Sequence, residues 1–419
     1  MRERPPVGSW LRLLGPGIAV AATGVGAGDL LAAMLAGAEL GTVLLWVIVL
    51  GAVLKLALNE GVARWQLATG TTLLEGWGRH LGLAFQLAFL LYLVVWSFVV
   101  AGGLMSACGV AAHALVPGVG IAAWGALHSL AALALVLFGS YHRFEAAMKA
   151  LVGLMVVTLL ASVVLVGPDL PGILRGLLVP TLPAGSAATV LSLMGGVGGS
   201  VTMLSYGYWI REKEWTGGAW LATVRRDLGV GYALTGIFGA AMLVLAAVAL
   251  SGVGTMPPGS QGLVACGDAL SEATALRFGA GVGDAARWVF LIGLWAAVFT
   301  STLGVWQGVP YLAADFARNL RRDGREVDER SWTYRGYLLY LALPPMLLLI
   351  LDRPVWVIRL YTLTGGLFMP VLAASLLWLT TRRSLMGDLR TRLPGLVALL
   401  AALALFVAVG VRQVLDSLG

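Results

Sequence analysis

The chain is dominated by long apolar stretches that short polar, glycine-containing or proline-containing segments separate. A helix that crosses a membrane needs about 20 mainly apolar residues. Eleven stretches meet this need, near 16–38, 41–58, 84–112, 121–138, 148–167, 188–209, 227–251, 287–309, 335–351, 355–380 and 394–412. The longest predicted outer linker, 251–286, has room for a short surface helix, so we expect no appended soluble domain. The pattern predicts an all-α integral membrane protein with about eleven transmembrane helices.

The composition agrees with lipid as the main solvent of the chain. Hydrophobic residues make up 59% of the sequence and charged residues 12%, with a mean hydropathy of +0.89. A soluble protein of this length would lack the polar surface to cover such a core. The net charge of +7 does not indicate nucleic-acid binding, because membrane topology explains the basic residues. Two cysteines provide no disulfide framework, and four histidines show no ligand-like spacing.

The basic residues are distributed unevenly between the two predicted faces. With the N-terminus inside, 22 of the 28 Lys and Arg residues fall on cytoplasmic segments, Lys55 at the end of span two among them. Such an excess marks the cytoplasmic side of membrane proteins. We therefore expect a multi-pass protein of the cell membrane, of the bacterial inner-membrane kind, with a cytoplasmic N-terminus and an external C-terminus.

Two spans contain glycine clusters near their middle. Span one carries Thr23-Gly24-Val25-Gly26-Ala27-Gly28-Asp29, and span six carries Gly195-Gly196-Val197-Gly198-Gly199-Ser200. Each glycine costs a helix about 1 kcal/mol relative to alanine, so the clusters favour unwinding. Small residues can also serve close helix contacts. Their occurrence five spans apart favours paired broken helices, which form the binding sites of inverted-repeat transporters.

Asp29 is the one acidic residue that we place near the centre of a span. A carboxylate at that depth is expensive unless it faces a cavity or a partner, which makes it a functional candidate. It can equally cap the second half of span one. Hydroxyls near the breaks, including Ser301, Thr362 and Thr364, can join a pocket or bond to their own helix. The predicted substrate-binding residues are Thr23, Gly24, Gly26, Gly28, Asp29, Gly195, Gly198, Gly199, Ser200, Thr202, Tyr206, Thr300 and Thr302.

Three segments resemble the Nramp divalent-metal transporters. They are Leu14-Gly15-Pro16-Gly17, Trp46 with the later run Ala63-Arg64-Trp65-Gln66-Leu67-Ala68-Thr69-Gly70, and Gly304-Val305-Trp306-Gln307-Gly308. The resemblance implies a LeuT-type fold, in which two inverted five-helix repeats have broken first and sixth helices. On that plan one membrane domain, 1–419, contains repeats at 16–167 and 188–380 and an additional helix at 394–412.

The metal motif of the family is altered in this sequence. The family's Asp-Pro-Gly-Asn appears as Gly26-Ala27-Gly28-Asp29, and its Met-Pro-His-Asn aligns with 202–205, so Thr202 replaces the thioether. Thioether and paired oxygen ligands favour manganese or iron over hard cations. The acidic residues of the family's third helix correspond to positions around Ser97 and Val100. We therefore expect the scaffold to carry over, no high-affinity manganese site, and Asp29 as the single candidate metal ligand.

These features predict a secondary active transporter that works by alternating access. Helix N-termini at a break suit an anionic group and a carboxylate suits an ammonium, so we favour a small polar or zwitterionic solute, an amino acid first. The alternatives are a divalent metal bound through Asp29, carbonyls and water, and a sensor that does not transport. An enzyme would need a nucleophile–base pair or metal cluster, which the sequence does not suggest. We expect no cofactor, nucleic acid or obligatory protein partner, and the coupling ion, H⁺ or Na⁺, stays open.

Overall fold

The computed structural model describes residues 14–196, 199–251, 260–321, 327–350 and 368–418, and within them helices and turns account for the whole architecture. Gly198, Thr362 and Thr364 lie outside the described residues. The helices are α1 (Pro16–Gly24), α2 (Ala27–Leu40), α3 (Leu45–Thr69), α4 (Leu73–His80), α5 (Leu83–Leu115), α6 (Ile121–Phe138), α7 (Tyr141–Val166), α8 (Leu170–Leu178), α9 (Ala187–Gly196), α10 (Ser205–Glu212), α11 (Leu221–Ala249), α12 (Ser260–Phe278), α13 (Ala280–Leu320), α14 (Trp332–Ala342), α15 (Leu347–Ile350), α16 (Phe368–Thr380), α17 (Arg383–Met386) and α18 (Leu393–Leu418).

The helices form a bundle with an apolar outer surface. In the part of the chain that the structure describes, seven helical segments are long and apolar enough to cross a membrane. Span six is divided into short helices, and the last two predicted spans correspond to the shorter apolar helices α16 and α18. Large side chains such as Phe138, Val157 and Val164 are 68–80% exposed on the bundle surface. Exposed apolar surface on this scale suits contact with lipid rather than water.

Several predicted spans were too short. Span two was placed at 41–58 and is α3, Leu45–Thr69; span eight was placed at 287–309 and is α13, Ala280–Leu320. The sequence scan ended a span at charge, Pro or Gly, so span two stopped before Glu60 and span eight before Pro310. In the bundle Glu60 is paired with Arg64, and α13 continues through Pro310, so both helices extend beyond those residues.

Local signals fix the helix ends. Pro16 occupies the first turn of α1, where the missing N–H costs nothing. The Thr72 hydroxyl accepts a hydrogen bond from Glu75 N at 3.1 Å and caps α4. Gly70 ends α3 with φ +70°, a left-handed conformation that glycine adopts without strain.

Glycines let the central helices approach to backbone distance. Helix α1 packs against α11 and α13, and α2 packs against α11. A Cβ on Gly17 would lie 2.2 Å from the Asp227 carbonyl oxygen, and one on Gly304 would lie 1.7 Å from Thr23 Oγ1. Neither position can hold a larger side chain without moving a helix. This packing brings α13 against the interruption in span one.

Candidate functional site

Both predicted helix breaks are present. Helix α1 ends at Gly24 and α2 begins at Ala27; α9 ends at Gly196, and the chain resumes helical form in a 3₁₀ turn, Val201–Leu204, before α10. Gly199 N donates a hydrogen bond of 3.3 Å to Gly24 O. The prediction of two discontinuous helices that face each other is therefore confirmed. The two breaks form the candidate site.

Backbone carbonyls that the first break frees are bound by a side chain of span eight. The buried Ser301 hydroxyl on α13 lies within hydrogen-bond distance of Ala22 O, at 3.1 Å, and Val25 O, at 2.9 Å. An unpaired carbonyl in a bilayer costs several kcal/mol, so this contact stabilises the unwound turn. Ser301 was named in the sequence as one of several hydroxyls; its packing against the break distinguishes it.

Asp29 lies in the first turn of α2, half-buried at the break. Its Oδ2 accepts a hydrogen bond of 3.2 Å from Gly26 N, which confirms a capping contact made from the third helical position rather than from the cap itself. A cavity of about 10 Å³, the size of one water molecule, adjoins the carboxylate. Its lining includes Val25, Asp29, Leu30, Ile48, Leu193 and Thr235.

Lys55 is the functional candidate that the sequence analysis missed. We placed it at the cytoplasmic end of span two; it lies in the middle of α3 and is only 1% exposed. Its Nζ donates a hydrogen bond of 2.9 Å to Gly199 O, and its charge interacts with that of Asp29. The sequence did indicate a lysine inside a membrane span, because apolar residues flank Lys55 on both sides. Because we ended span two at 58, Lys55 seemed to lie at the membrane face.

Other predicted site hydroxyls bond to their own helices. Thr23 Oγ1 donates to Ala19 O at 2.6 Å, Thr300 Oγ1 to Ala297 O at 2.8 Å, and Thr302 Oγ1 to Val298 O at 3.0 Å. Such bonds satisfy the hydroxyl locally and leave it little capacity for a ligand.

Residues of the second break surround Gly199. Thr202 Oγ1 would lie 3.0 Å from a Cβ on Gly199, and Met203 Cγ would lie 3.9 Å from it. Met203 therefore places a thioether-bearing side chain near the break, although the sequence alignment put Thr202 at the family's thioether position and predicted no thioether there. Ser200 is half-buried and accepts a hydrogen bond from Met203 N at 3.1 Å through its carbonyl. Gly28 and Gly195 lie in the helical turns that flank the breaks.

Tyr206, on α10, belongs to a hydrogen-bonded anchor around Asp227 that holds the start of span one. Its hydroxyl donates to Asp227 Oδ2 at 2.9 Å, and Asp227 also accepts hydrogen bonds from Gly15 N, at 3.1 Å, and Gly17 N, at 2.6 Å. The carboxylate thus satisfies the first N–H groups of α1 and interacts with the helix dipole. The Tyr206 hydroxyl is used in joining α10 to α1 and α11.

Asp29 is not the only acidic side chain that lies within a helix of the bundle. Asp227 lies in the second turn of α11 and is 1% exposed, and Asp315 lies in α13 and is fully buried. Asp315 accepts hydrogen bonds from the hydroxyls of Thr72, at 2.6 Å, and Tyr208, at 2.8 Å. The apparent isolation of Asp29 came from spans drawn too short. Its position at a break still distinguishes it.

The site combines one carboxylate, one ammonium, backbone carbonyls and the Thr202 hydroxyl. The formal charges of Asp29 and Lys55 cancel, so the pair is neutral as a unit. Among the described residues, His, Cys, Asp and Glu side chains form no group of three or more that could hold a metal ion. Cation binding would therefore depend on Asp29, carbonyl oxygens and water.

A family model gives the family of the chain, and similar solved structures give its fold. The family model described as "Natural resistance-associated macrophage protein-like", or Nramp, matches residues 17–416. The manganese transporter of Eremococcus coleocola, solved in complex with an aromatic bis-isothiourea substituted compound, is similar at TM-score 0.76 and 16% identity, over 99% of this chain and 90% of that one. No curated protein sequence matches the chain.

More distant transporters share the architecture. MhsT in complex with L-phenylalanine is similar at TM-score 0.57 and 17% identity, over 94% of this chain and 97% of that one. Mhp1, a nucleobase-cation-symport-1 family transporter, is similar at TM-score 0.57 and 13% identity, over 96% of this chain and 93% of that one. These likenesses agree with a LeuT-type fold, with its broken first and sixth helices, over most of the chain.

Proposed function

Because the chain belongs to the Nramp family of transporters, we propose that it carries a divalent metal cation across the membrane, bound between the breaks of spans one and six. The family match and the similar manganese transporter support a metal substrate over the amino acid that the sequence led us to prefer. The metal was the alternative in that analysis. The observation that carries the proposal is the direct hydrogen bond between the breaks, beside Asp29.

The ligands that we infer are mainly oxygens. Asp29 supplies a carboxylate, Gly199 a carbonyl and Thr202 a hydroxyl, and water completes the shell. Such a set suits a hard cation of the Mg²⁺ or Mn²⁺ type. Met203 is the residue beside Gly199 that carries a softer sulfur donor. Whether its sulfur takes part decides how strongly the site prefers manganese to magnesium.

Alternating access follows from the way the breaks are held. Each broken span has two halves that can move separately, while the intact helices α3, α11 and α13 surround them. The N-terminus faces the cytoplasm in this proposal, because the excess of Lys and Arg lies on that side. Transport is secondary, driven by an ion gradient.

The test is uptake of Mg²⁺ and Mn²⁺ by the purified protein in proteoliposomes, with amino acids as competitors. We expect saturable uptake of both metals that amino acids do not inhibit. Asp29→Asn should abolish the uptake of both metals. Met203→Leu should leave the ratio of Mn²⁺ to Mg²⁺ uptake unchanged if oxygens are the ligands, and a selective loss of Mn²⁺ would assign the sulfur to the site. Saturable amino-acid uptake without metal uptake would overturn the proposal.

One observation favours a second candidate substrate. Asp29 and Lys55 present opposite charges at the breaks, which is the complement of a zwitterion. An amino acid could bind its ammonium to Asp29 and its carboxylate to Lys55. The same uptake assay distinguishes the two substrates.

A further inference from the structure

The Lys55 side chain interacts with both groups that would bind a substrate cation. Its ammonium donates to Gly199 O at 2.9 Å and interacts electrostatically with Asp29 across the site. The side chain comes from α3, which lies outside both breaks, and it is 1% exposed. A positive charge of the protein therefore lies where the proposed cation would bind.

A buried lysine inside a membrane bundle is costly unless it is paired. The stability of α3 does not require Lys55, since an apolar residue at this position would support the helix equally well. The ammonium contributes a charge that balances Asp29 and a donor that fixes the Gly199 carbonyl. Gly199 has φ +70° and its N–H is bound to Gly24 O, so the Lys55 hydrogen bond to Gly199 O connects α3 to the paired breaks.

We propose that Lys55 is a tethered cation that holds the substrate position in the resting protein and that a divalent substrate must displace it. The inference rests on the proposed function and identifies Lys55 as the residue that makes the site select divalent over monovalent cations. Divalent ions carry twice the charge of the ammonium and can compete for the Asp29 carboxylate. A monovalent ion carries the same charge as the ammonium, which tethering keeps at high local concentration. Lys55 thus excludes Na⁺ and K⁺ from the site.

The same contact links binding to movement. Displacing the ammonium breaks its hydrogen bond with Gly199 O, so cation binding frees the second break from α3. Return of the ammonium to Asp29 opposes the bound cation by like-charge repulsion and favours its release. Lys55 therefore acts on both the affinity and the release of the substrate.

The experiment measures Mg²⁺ and Na⁺ binding to purified full-length protein by calorimetry. Lys55→Gln removes the charge but keeps an N–H donor for Gly199 O, and Lys55→Arg keeps the charge. We expect Lys55→Gln to bind Mg²⁺ about tenfold or more tightly than wild type, because like charges in a site disfavour binding strongly. It should also gain measurable Na⁺ binding. Lys55→Arg should show neither gain.

Two controls complete the design. Lys149→Met removes a lysine of α7 that pairs with Glu145 at 2.7 Å, and its binding should equal that of wild type. Asp29→Asn in the Lys55→Gln background should abolish the gain. If Lys55→Gln fails to fold, as size-exclusion chromatography would show, Lys55→Met replaces it.

Equal or weaker Mg²⁺ binding by the folded neutral variants, or none at all, overturns the role of Lys55. The proposed function is judged separately by metal uptake of the wild-type protein. Uptake without tighter binding in the neutral variants retains the function and rejects the tethered cation. Tighter binding in those variants without wild-type uptake supports the tethered cation and rejects metal transport.

Discussion

The N–H of Gly199 in the break of span six donates a hydrogen bond of 3.3 Å to the carbonyl of Gly24 at the break of span one. The two residues are 175 positions apart in the sequence and lie in different predicted five-helix repeats. Their contact places one unwound backbone against the other in the protein interior. It pairs a backbone donor of one break with a backbone acceptor of the other inside the bundle, where lipid could satisfy neither.

The charge pair at the site predicts how variants of Asp29 behave. Asp29→Asn keeps an oxygen for Gly26 N–H, so the cap is retained. It removes the negative charge that interacts with the Lys55 ammonium, so the folded state loses that stabilising attraction. We expect lost metal uptake and a lower melting temperature in a thermal unfolding assay in detergent.

The double variant isolates that charge effect. Asp29→Asn with Lys55→Gln removes both charges and should recover most of the lost stability without recovering uptake. An Asn variant as stable as wild type would show that the two charges do not support each other. Full uptake by that variant would remove the carboxylate from the transport site.

Gly199→Ala compared with Gly70→Ala separates backbone strain from crowding. Both glycines have φ +70°, so each alanine costs about 1 kcal/mol from the left-handed conformation. A Cβ on Gly70 meets nothing within 4 Å, whereas one on Gly199 approaches Thr202 Oγ1 at 3.0 Å and Gly24 Cα at 3.5 Å. We expect Gly70→Ala to retain uptake and Gly199→Ala to lose it. Equal uptake by the two variants would contradict a tight contact between the breaks.

Ser301→Ala compared with Thr300→Val tests which hydroxyl of span eight serves the first break. Ser301 bonds to Ala22 O and Val25 O, whereas Thr300 bonds to its own helix at Ala297 O. Losing the Ser301 hydroxyl leaves buried carbonyls unpaired, a cost of about 1–3 kcal/mol. Uptake and melting temperature should fall in Ser301→Ala and change little in Thr300→Val. The reverse order would place the functional hydroxyl at Thr300.

Tyr206→Phe compared with Asp227→Ala tests the anchor at the start of span one. Tyr206→Phe removes one hydrogen bond to Asp227 and should cost about 1 kcal/mol of stability with metal affinity unchanged. Asp227→Ala also strips the N–H groups of Gly15 and Gly17 of their acceptor and should lower the melting temperature further. Calorimetry that showed weakened metal binding in Tyr206→Phe would return Tyr206 to the substrate site, as the sequence predicted.

Much of the architecture could be predicted from local chemistry. Bilayer thickness sets the length of an apolar span, so the stretches of apolar residues predicted the order of the membrane spans. Clusters of three or more glycines near mid-span lower helix stability wherever they occur, so both breaks could be located. An acidic residue inside an apolar span is unusual by itself, which identified Asp29.

The partners of the polar side chains depended on tertiary packing. Lys55 belongs to the site because α3 lies beside the second break and a long side chain reaches Gly199 O; nothing local to its sequence names that carbonyl. Likewise, Tyr206 bonds to Asp227 and Ser301 bonds to the first break because helix packing brought those atoms within 3.1 Å. Hydrogen bonds and ion pairs act over a few ångströms, whereas these partners are 21 to 279 residues apart in the chain. The sequence alone therefore determined the membrane spans and their interruptions, and the packed bundle decided which groups meet at them.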